Sequence, residues 1–420
     1  MAGRELTARE AAEVLGVKPS TLYAYVSRGR LTRLRTPEGS RFDAADVERL
    51  ARSARRAQVT TAAPLGFASE LTLIENGRLY YRGVDAVELS RSHRFEHVAA
   101  WLWEAVWAED QDPWTPPPAV LEAASGACHG LDPRCSPTDR WRVAVAAAAS
   151  ADPLRHDRAR GTVVSATRGL LATLVEVLPV LAPVPGRKAT AATLAERLWP
   201  RLSPVPATSA QISVLNAALV LMADHEIAAS TLAARTAAAV DADPYAVILT
   251  GMSAASGPLH AANSLQIRPL LADAQLHGPA AAVGEVLRRG GVLHGFGQPL
   301  YPGGDPRGAE LLESLRRSGA DLGTVDAVLA LVAARGMAPP NCDFALAALA
   351  QTGLMVPGAS EAIFVLARSA GWIAHALEEY AHRSRFRVRA TYVGPRPGAA
   401  RERAAGSPPA GDRPPATDSR

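Results

Sequence analysis

From Glu70 to Pro395, apolar residues recur at helical spacing in segment after segment, with Pro/Gly breaks such as 113–118 and 182–187 between them. No run shows the strict alternation of a half-buried strand. This pattern restricts the stretch to an all-α architecture, because a sheet needs period-two faces. Scarce aromatics, 5% of the chain, and abundant alanine favour packed helices over strands in the same way. At 420 residues there is room for two or three domains and a large core. The longest apolar run, Gly161 to Val184, contains Arg168 and Glu176 and reads as a buried helix, not a membrane span.

The first 56 residues differ. Thr7-Ala8-Arg9-Glu10 is a capping box that opens a short helix carrying Ala11, Ala12 and Leu15 on one face, with Gly16 as its stop. Ser20 can cap a second helix, with Leu22 and Val26 inward, that ends at Gly29. Two short helices joined by a tight turn make a helix-turn-helix hairpin. Pro37-Glu38-Gly39 then turns between two extended pieces that suit a wing, and Asp43 and Asp46 open a third helix through Arg56, with Val47 and Leu50 facing in. Small, uncharged residues 57–66 read as a linker, 67–395 as the main domain, and 396–420 as a disordered tail.

Charge follows this division. Residues 1–56 carry 12 basic and 7 acidic side chains, whereas the rest of the chain holds 33 and 34. A polyanion would therefore bind the N-terminal segment. Its order of helix, turn, helix, wing and helix resembles the DNA-binding modules of MerR- and excisionase-type proteins. The resemblance implies that the Ser20–Ser27 helix enters the major groove of double-stranded DNA. Ser20, Thr21, Tyr23 and Tyr25 would face the bases, and Arg28, Arg30, Arg33 and Arg35 the phosphates. The alternative is a helical docking module with solvated arginines.

Cys128, Cys135 and Cys342 are too few and too irregular for a disulfide framework or a four-ligand zinc site, and they suit free thiols in a reducing compartment. The N-terminus lacks the apolar core of a signal peptide. The expectation is a cytoplasmic protein with no membrane partner.

Four motifs concentrate polar chemistry in the main domain: Ala223-Asp224-His225-Glu226-Ile227-Ala228-Ala229-Ser230-Thr231, Ser256-Gly257-Pro258-Leu259-His260, the loop from His294 to Arg307, and Pro340-Asn341-Cys342-Asp343-Phe344. The first places three ionisable groups inside an apolar stretch read as one helix from Ala217 to Val240, which is costly unless they face a cavity or pair with each other. From local sequence alone, Asp343 reads more readily as the cap of a helix starting at Phe344.

In this order the motifs resemble those of the citrate synthases, and Leu79-Tyr80-Tyr81-Arg82-Gly83 with Phe95 to Trp103 resembles the opening of that fold. The resemblance implies large and small helical domains, a homodimer, and a site in the cleft between the domains. It also implies condensation of acetyl-CoA or propionyl-CoA with oxaloacetate, with acyl-CoA as co-substrate and no metal or other cofactor. Asp343 would be the base and His260 the enolate stabiliser. His225, Arg307, Arg368 and Arg387 would hold oxaloacetate, Arg387 from the neighbouring subunit. Asp224 and Glu226 would be structural partners. Guanidinium forks suit carboxylates because both are planar and bidentate.

Three departures stand out. Gln298 occupies the position of the family histidine that polarises the ketone; an amide can donate a hydrogen bond there but cannot transfer a proton. His294 would reach that place only if the loop were rearranged. Ala261 and Ala262 replace two glycines after His260, and Pro299 replaces an arginine, so CoA-phosphate contacts do not transfer. Two functions follow: a synthase with an appended DNA-binding module, or a transcription regulator that senses oxaloacetate or acyl-CoA with a degenerate synthase domain.

Overall fold

The computed structural model describes residues 5–15, 17–27, 31–36, 39–44, 46–47, 50, 67–107, 113–183 and 192–382. The expected linker 57–66, the tail 396–420, the wing tip at Pro37-Glu38, and Arg28, Arg30 and Arg387 lie outside them. Described residues up to Ala68 form one compact unit, and those from Ser69 onward form another.

In the N-terminal unit, β1 (Glu5–Thr7) leads into α1 (Ala8–Leu15), and α2 (Pro19–Ser27) precedes β2 (Leu34–Thr36) and β3 (Gly39–Asp43). The capping box forms: Thr7 N donates to Glu10 Oε2 at 2.8 Å, and Glu10 N donates to Thr7 Oγ1 at 3.3 Å. The three strands make an antiparallel sheet in the order β1-β3-β2. Leu6, Ala11, Ala12, Leu22, Leu31, Phe42 and Val47 form its core. Ala44, Asp46, Val47 and Leu50 are helical, at the place expected for the third helix.

The second unit opens with an antiparallel sheet, β4 (Thr72–Glu75), β5 (Arg78–Tyr81) and β6 (Val84–Asp85). The helical reading missed these strands. Asn76 and Gly77 take positive φ, 51° and 73°, as a two-residue hairpin turn demands. Helices follow: α3 (Ala86–Ser92), α4 (Phe95–Glu104), α5 (Pro118–Cys128), α6 (Pro137–Ala151), α7 (Arg160–Glu176), α8 (Leu194–Leu202), α9 (Ser209–Met222), α10 (Ala229–Ala239) and α11 (Pro244–Ala255). A 3-10 helix (Ala261–Gln266) leads to α12 (Ile267–His277), α13 (Pro279–Arg288), α14 (Pro306–Arg317), α15 (Gly323–Ala334), α16 (Cys342–Thr352) and α17 (Ala359–His382).

The final helix, α17, spans 24 residues and is buried almost throughout from Ala359 to Glu379. It packs against α9, α10, α11 and α4 and so forms the centre of the core. Apolar residues recur on all sides of α17, and its charged or polar side chains Glu361, Arg368, His375 and Glu379 are buried as well, as a helix enclosed by others requires. Among the described residues no helix is long and apolar enough to cross a membrane.

The helix expected from Ala217 to Val240 is two helices. It stops at Met222 and resumes at Ala229. Asp224 is fully buried and is drawn to Thr72 Oγ1 and to His375 Nε2, the latter at 3.3 Å. The Tyr81 hydroxyl also donates to the Asp224 carbonyl at 3.1 Å. Glu226 then takes φ of 50°, completing the break. Contacts distant in sequence override the local periodicity.

Candidate active site

Five segments meet around a cavity of about 500 Å³. They are the 225–229 break, the Leu259-His260 turn, the Gln298-Pro299-Leu300 loop, and the first turns of α14 and α16 with Arg307, Cys342 and Asp343. Phe364 and Arg368 of α17 close one side. A larger hollow, about 640 Å³, lies beside Ser90, Arg91, Ser213, Ser314 and Arg317. Both of its arginines are paired with Glu310 and it holds none of the motif residues, so the chemistry belongs to the smaller cavity.

The helix break aims His225 into the cavity. Its Nε2 stands 2.9 Å from the Tyr301 hydroxyl. Burial, then the cations Arg307 and Arg368, hold its pKa well below the usual histidine value, so the ring is neutral. Asp224 behaves as the expected structural partner, tied to Thr72 and His375. Glu226 does not: it lines the cavity, and among the described residues its side chain has no hydrogen bond or ion pair.

His260 follows a turn in which its N–H donates to the Gly257 carbonyl at 2.9 Å. Its Nε2 lies 2.8 Å from Ser230 Oγ, and its ring meets Phe364 edge-on with centroids 5.6 Å apart. Burial and Arg368 lower its pKa to about 4, so this imidazole is also neutral.

The cap of α16 is Asn341, whose side chain accepts from Asp343 N at 3.0 Å and Phe344 N at 3.3 Å. Asp343 is therefore not the cap that its local sequence allowed. Its carboxylate is left to the cavity, where Oδ2 accepts from Asn263 Nδ2 at 2.8 Å. Burial raises the Asp343 pKa, against the pull of Asn263 and Arg307. A raised carboxylate is a stronger base, which suits proton abstraction from carbon.

Gln298 lines the cavity on a loop bonded to the segment before α16. Gly297 N donates to the Pro339 carbonyl at 2.8 Å, Asn341 N to the Gly295 carbonyl at 2.9 Å, and Asn341 Nδ2 to the Gly297 carbonyl at 3.0 Å. Gly295 has φ of 89°, and a Cβ there would fall 2.8 Å from Ile267 Cδ1, so glycine is required. His294 faces Asn263 Oδ1 at 2.5 Å and not the cavity.

The two described clamp arginines differ. Arg307 is already paired with Asp305, Nε to Oδ1 at 3.0 Å and Nη2 to Oδ2 at 2.9 Å. Arg368 is 1% exposed, and its Nε donates to the Met222 carbonyl at 2.8 Å. Its guanidinium lies 4.5 Å from the Phe364 ring centroid, and Nη2 has no hydrogen-bond partner among the described residues. A buried cation with a free donor favours an anion in the cavity.

In the N-terminal unit, Thr21 and Tyr23 are exposed on α2 and Arg35 on β2, while half-buried Arg33 lies 5.8 Å from the Tyr23 ring centroid. Tyr25 is half-buried against the small core because, three residues after Leu22, it shares that inward face. That corrects its assignment to the outward face of α2. The Ser20 side chain, Arg28 and Arg30 lie outside the described residues.

Sequence reasoning missed Asn263, Tyr301, Phe364 and Asp305 as site residues, and missed the use of Ser230. Ser230 lay in a quoted motif and Asn263 only three positions past His260. Tyr301 and Asp305 also lay inside the quoted His294–Arg307 loop; Phe364 has no local signal.

The site thus combines a buried carboxylate, two neutral imidazoles, an amide and a buried arginine with a free donor, groups able to bind an anion and to accept a proton. The family model "Citrate synthase, C-terminal domain" matches residues 65–389, and "Helix-turn-helix domain" matches 5–55. Citrate synthase 2 of Bacillus subtilis is 30% identical over 54% of this chain, which spans 62% of that relative, under two thirds of its length. 2-Methylcitrate synthase 1 of Corynebacterium glutamicum is 28% identical over 76% of this chain and 90% of its own. Among solved structures, citrate synthase from Thermotoga maritima superposes with a TM-score of 0.63 at 22% identity, covering 79% of this chain and 94% of that one. The Thermoplasma acidophilum citrate synthase in complex with carboxymethyl coenzyme A and oxaloacetate gives 0.61 at 21%, covering 81% and 96%. The chain belongs to the citrate synthase family and carries a helix-turn-helix domain at its N-terminal end.

Proposed function

We propose that this chain condenses acetyl-CoA or propionyl-CoA with oxaloacetate and releases CoA. The observation that carries this reading is that Asp343 and His260 line one cavity with Arg307 and Arg368. Oxaloacetate binds through His225, Arg307 and Arg368, with Arg387 supplied by a second copy in a homodimer. Asp343 takes the proton α to the thioester carbonyl. The electron pair moves onto the carbonyl oxygen, where His260 donates a hydrogen bond, and the enolate carbon then attacks the ketone. Gln298 donates a hydrogen bond to the ketone oxygen. It holds no transferable proton, so water protonates the new alkoxide. Water then cleaves the thioester, giving the tricarboxylate and CoA thiol. The reaction calls for no metal or redox cofactor, and the free thiols fit a cytoplasmic setting.

Losing a well-placed oxyanion donor costs about 10²–10³ in rate; the Gln298 amide keeps a donor at that place and gives up only the proton transfer. Incubating the protein with oxaloacetate and each thioester, then identifying the product by mass spectrometry, tests the proposal. A tricarboxylate is expected; unchanged substrates would refute it.

A second reading is favoured by the helix-turn-helix match together with Gln298: a regulator that binds double-stranded DNA through the N-terminal unit and senses oxaloacetate or acyl-CoA. It requires DNA affinity that changes with either ligand in the absence of thiol release. Affinity indifferent to both would exclude it.

A further inference from the structure

Among the described residues Asp343 Oδ2 receives one side-chain hydrogen bond, from Asn263, and Asn263 is itself held by His294. An ionised carboxylate only accepts, so Asn263 must turn its NH₂ toward Asp343 Oδ2. Its carbonyl oxygen then faces His294 Nδ1 at 2.5 Å. A carbonyl oxygen also only accepts, so His294 must donate from Nδ1, which fixes its tautomer. Without that donor the Asn263 amide is free to rotate by half a turn and set its oxygen against the carboxylate. His294 stands at the start of the loop that presents Gln298, and that loop is bonded to the cap of α16. The same backbone contacts therefore hold both ends of the relay.

We propose that His294 and Asn263 are positioning residues for Asp343: His294 locks the Asn263 amide so that its NH₂, and not its oxygen, holds the base. This rests on the proposed condensation. It also gives a purpose to the imidazole in the Gln298 loop, which serves the base and not the ketone. Other charged or titratable groups acting on Asp343 are Arg307, Asp305, Arg368 and the neighbouring Cys342, with His260 across the cavity. All of these stay in place when the relay is cut.

The test compares His294→Ala, His294→Asn and Asn263→Ala in the full chain. His294→Ala and Asn263→Ala are expected to lower kcat by about 10- to 100-fold, the cost of a slightly misplaced group, with KM for oxaloacetate unchanged. Both should move the acid limb of kcat/KM to higher pH, because a carboxylate that loses a donor holds its proton more tightly. In His294→Asn the amide nitrogen stands where Nδ1 stood, so it should recover most of the rate. Wild-type kcat and acid limb in His294→Ala, or no recovery in His294→Asn, would overturn the proposal. Imidazole ¹⁵N spectra of the wild type, with His294 assigned by its loss in His294→Ala, decide it apart from turnover. A proton on Nδ1 upholds the relay even if the protein proves not to be a synthase, and a bare Nδ1 overturns it even if it is one.

Discussion

Ser230 Oγ stands 2.8 Å from His260 Nε2 and also 3.2 Å from Trp372 Nε1, with Ser230 and Trp372 fully buried. An indole N–H only donates, so Ser230 accepts from Trp372. The arrangement that satisfies all three groups has the serine hydroxyl donate to His260 Nε2. The proton of the neutral imidazole then sits on Nδ1, available to an enolate oxygen.

Ser230→Ala removes this lock on the tautomer. Turnover is expected to fall about 10- to 100-fold, and the orphaned Trp372 N–H should cost about 1–3 kcal/mol of stability. Steady-state kinetics and urea unfolding check the two effects separately. Ser230→Thr keeps the hydroxyl and should lose much less of either.

The depressed pKa of His260 makes stability depend on pH. Between its folded value of about 4 and its ordinary 6.5, the unfolded chain binds a proton that the folded chain refuses. The unfolded state binds more protons there, so stability is full above 6.5 and falls as pH drops toward 4. Across this window wild type should lose more stability than His260→Gln, read as the shift in urea midpoint. Parallel losses in the two proteins would contradict the assignment.

The unpaired Nη2 of Arg368 should find its partner in a bound carboxylate. Oxaloacetate at about 100 times its Kd is then expected to stabilise wild type by about 2.7 kcal/mol. Arg368→Lys, which loses the second donor, should show a much smaller thermal shift at the same concentration. Differential scanning calorimetry with and without oxaloacetate measures this.

Gly308 in the first turn of α14 faces the cap of α16. An added Cβ would lie 2.7 Å from the Asn341 carbonyl carbon and oxygen, which are backbone and cannot swing aside. Gly308→Ala is expected to cost about 1–3 kcal/mol and to lower turnover, since the cap that places Asp343 must shift. Chemical denaturation and kinetics on the same preparation check both.

Part of the site was legible because its residues fall in short motifs. The turn at 256–260, the Asp343 segment and Arg307 in Asp305-Pro306-Arg307 are short motifs whose order resembles that of the citrate synthases, and it was this resemblance, not the local sequence of any one of them, that marked them. The break after Met222 was hidden because it is caused by Thr72, Tyr81 and His375, all remote in sequence. The β4–β5 hairpin was readable and was passed over, since Asn76-Gly77 is a turn signal in its own right. The His294-Asn263-Asp343 relay could not have been read, because nothing in its spacing says that 263, 294 and 343 meet.

The central claim is that Asp343 and His260 perform a condensation with Gln298 as ketone donor. Release of CoA thiol from oxaloacetate and acetyl-CoA or propionyl-CoA tests it most directly, with wild type, Asp343→Ala and Gln298→His side by side. Steady release by wild type that disappears in Asp343→Ala is the predicted result. No release by wild type with either thioester, together with activity recovered in Gln298→His, would contradict it and identify a synthase scaffold silenced at one residue.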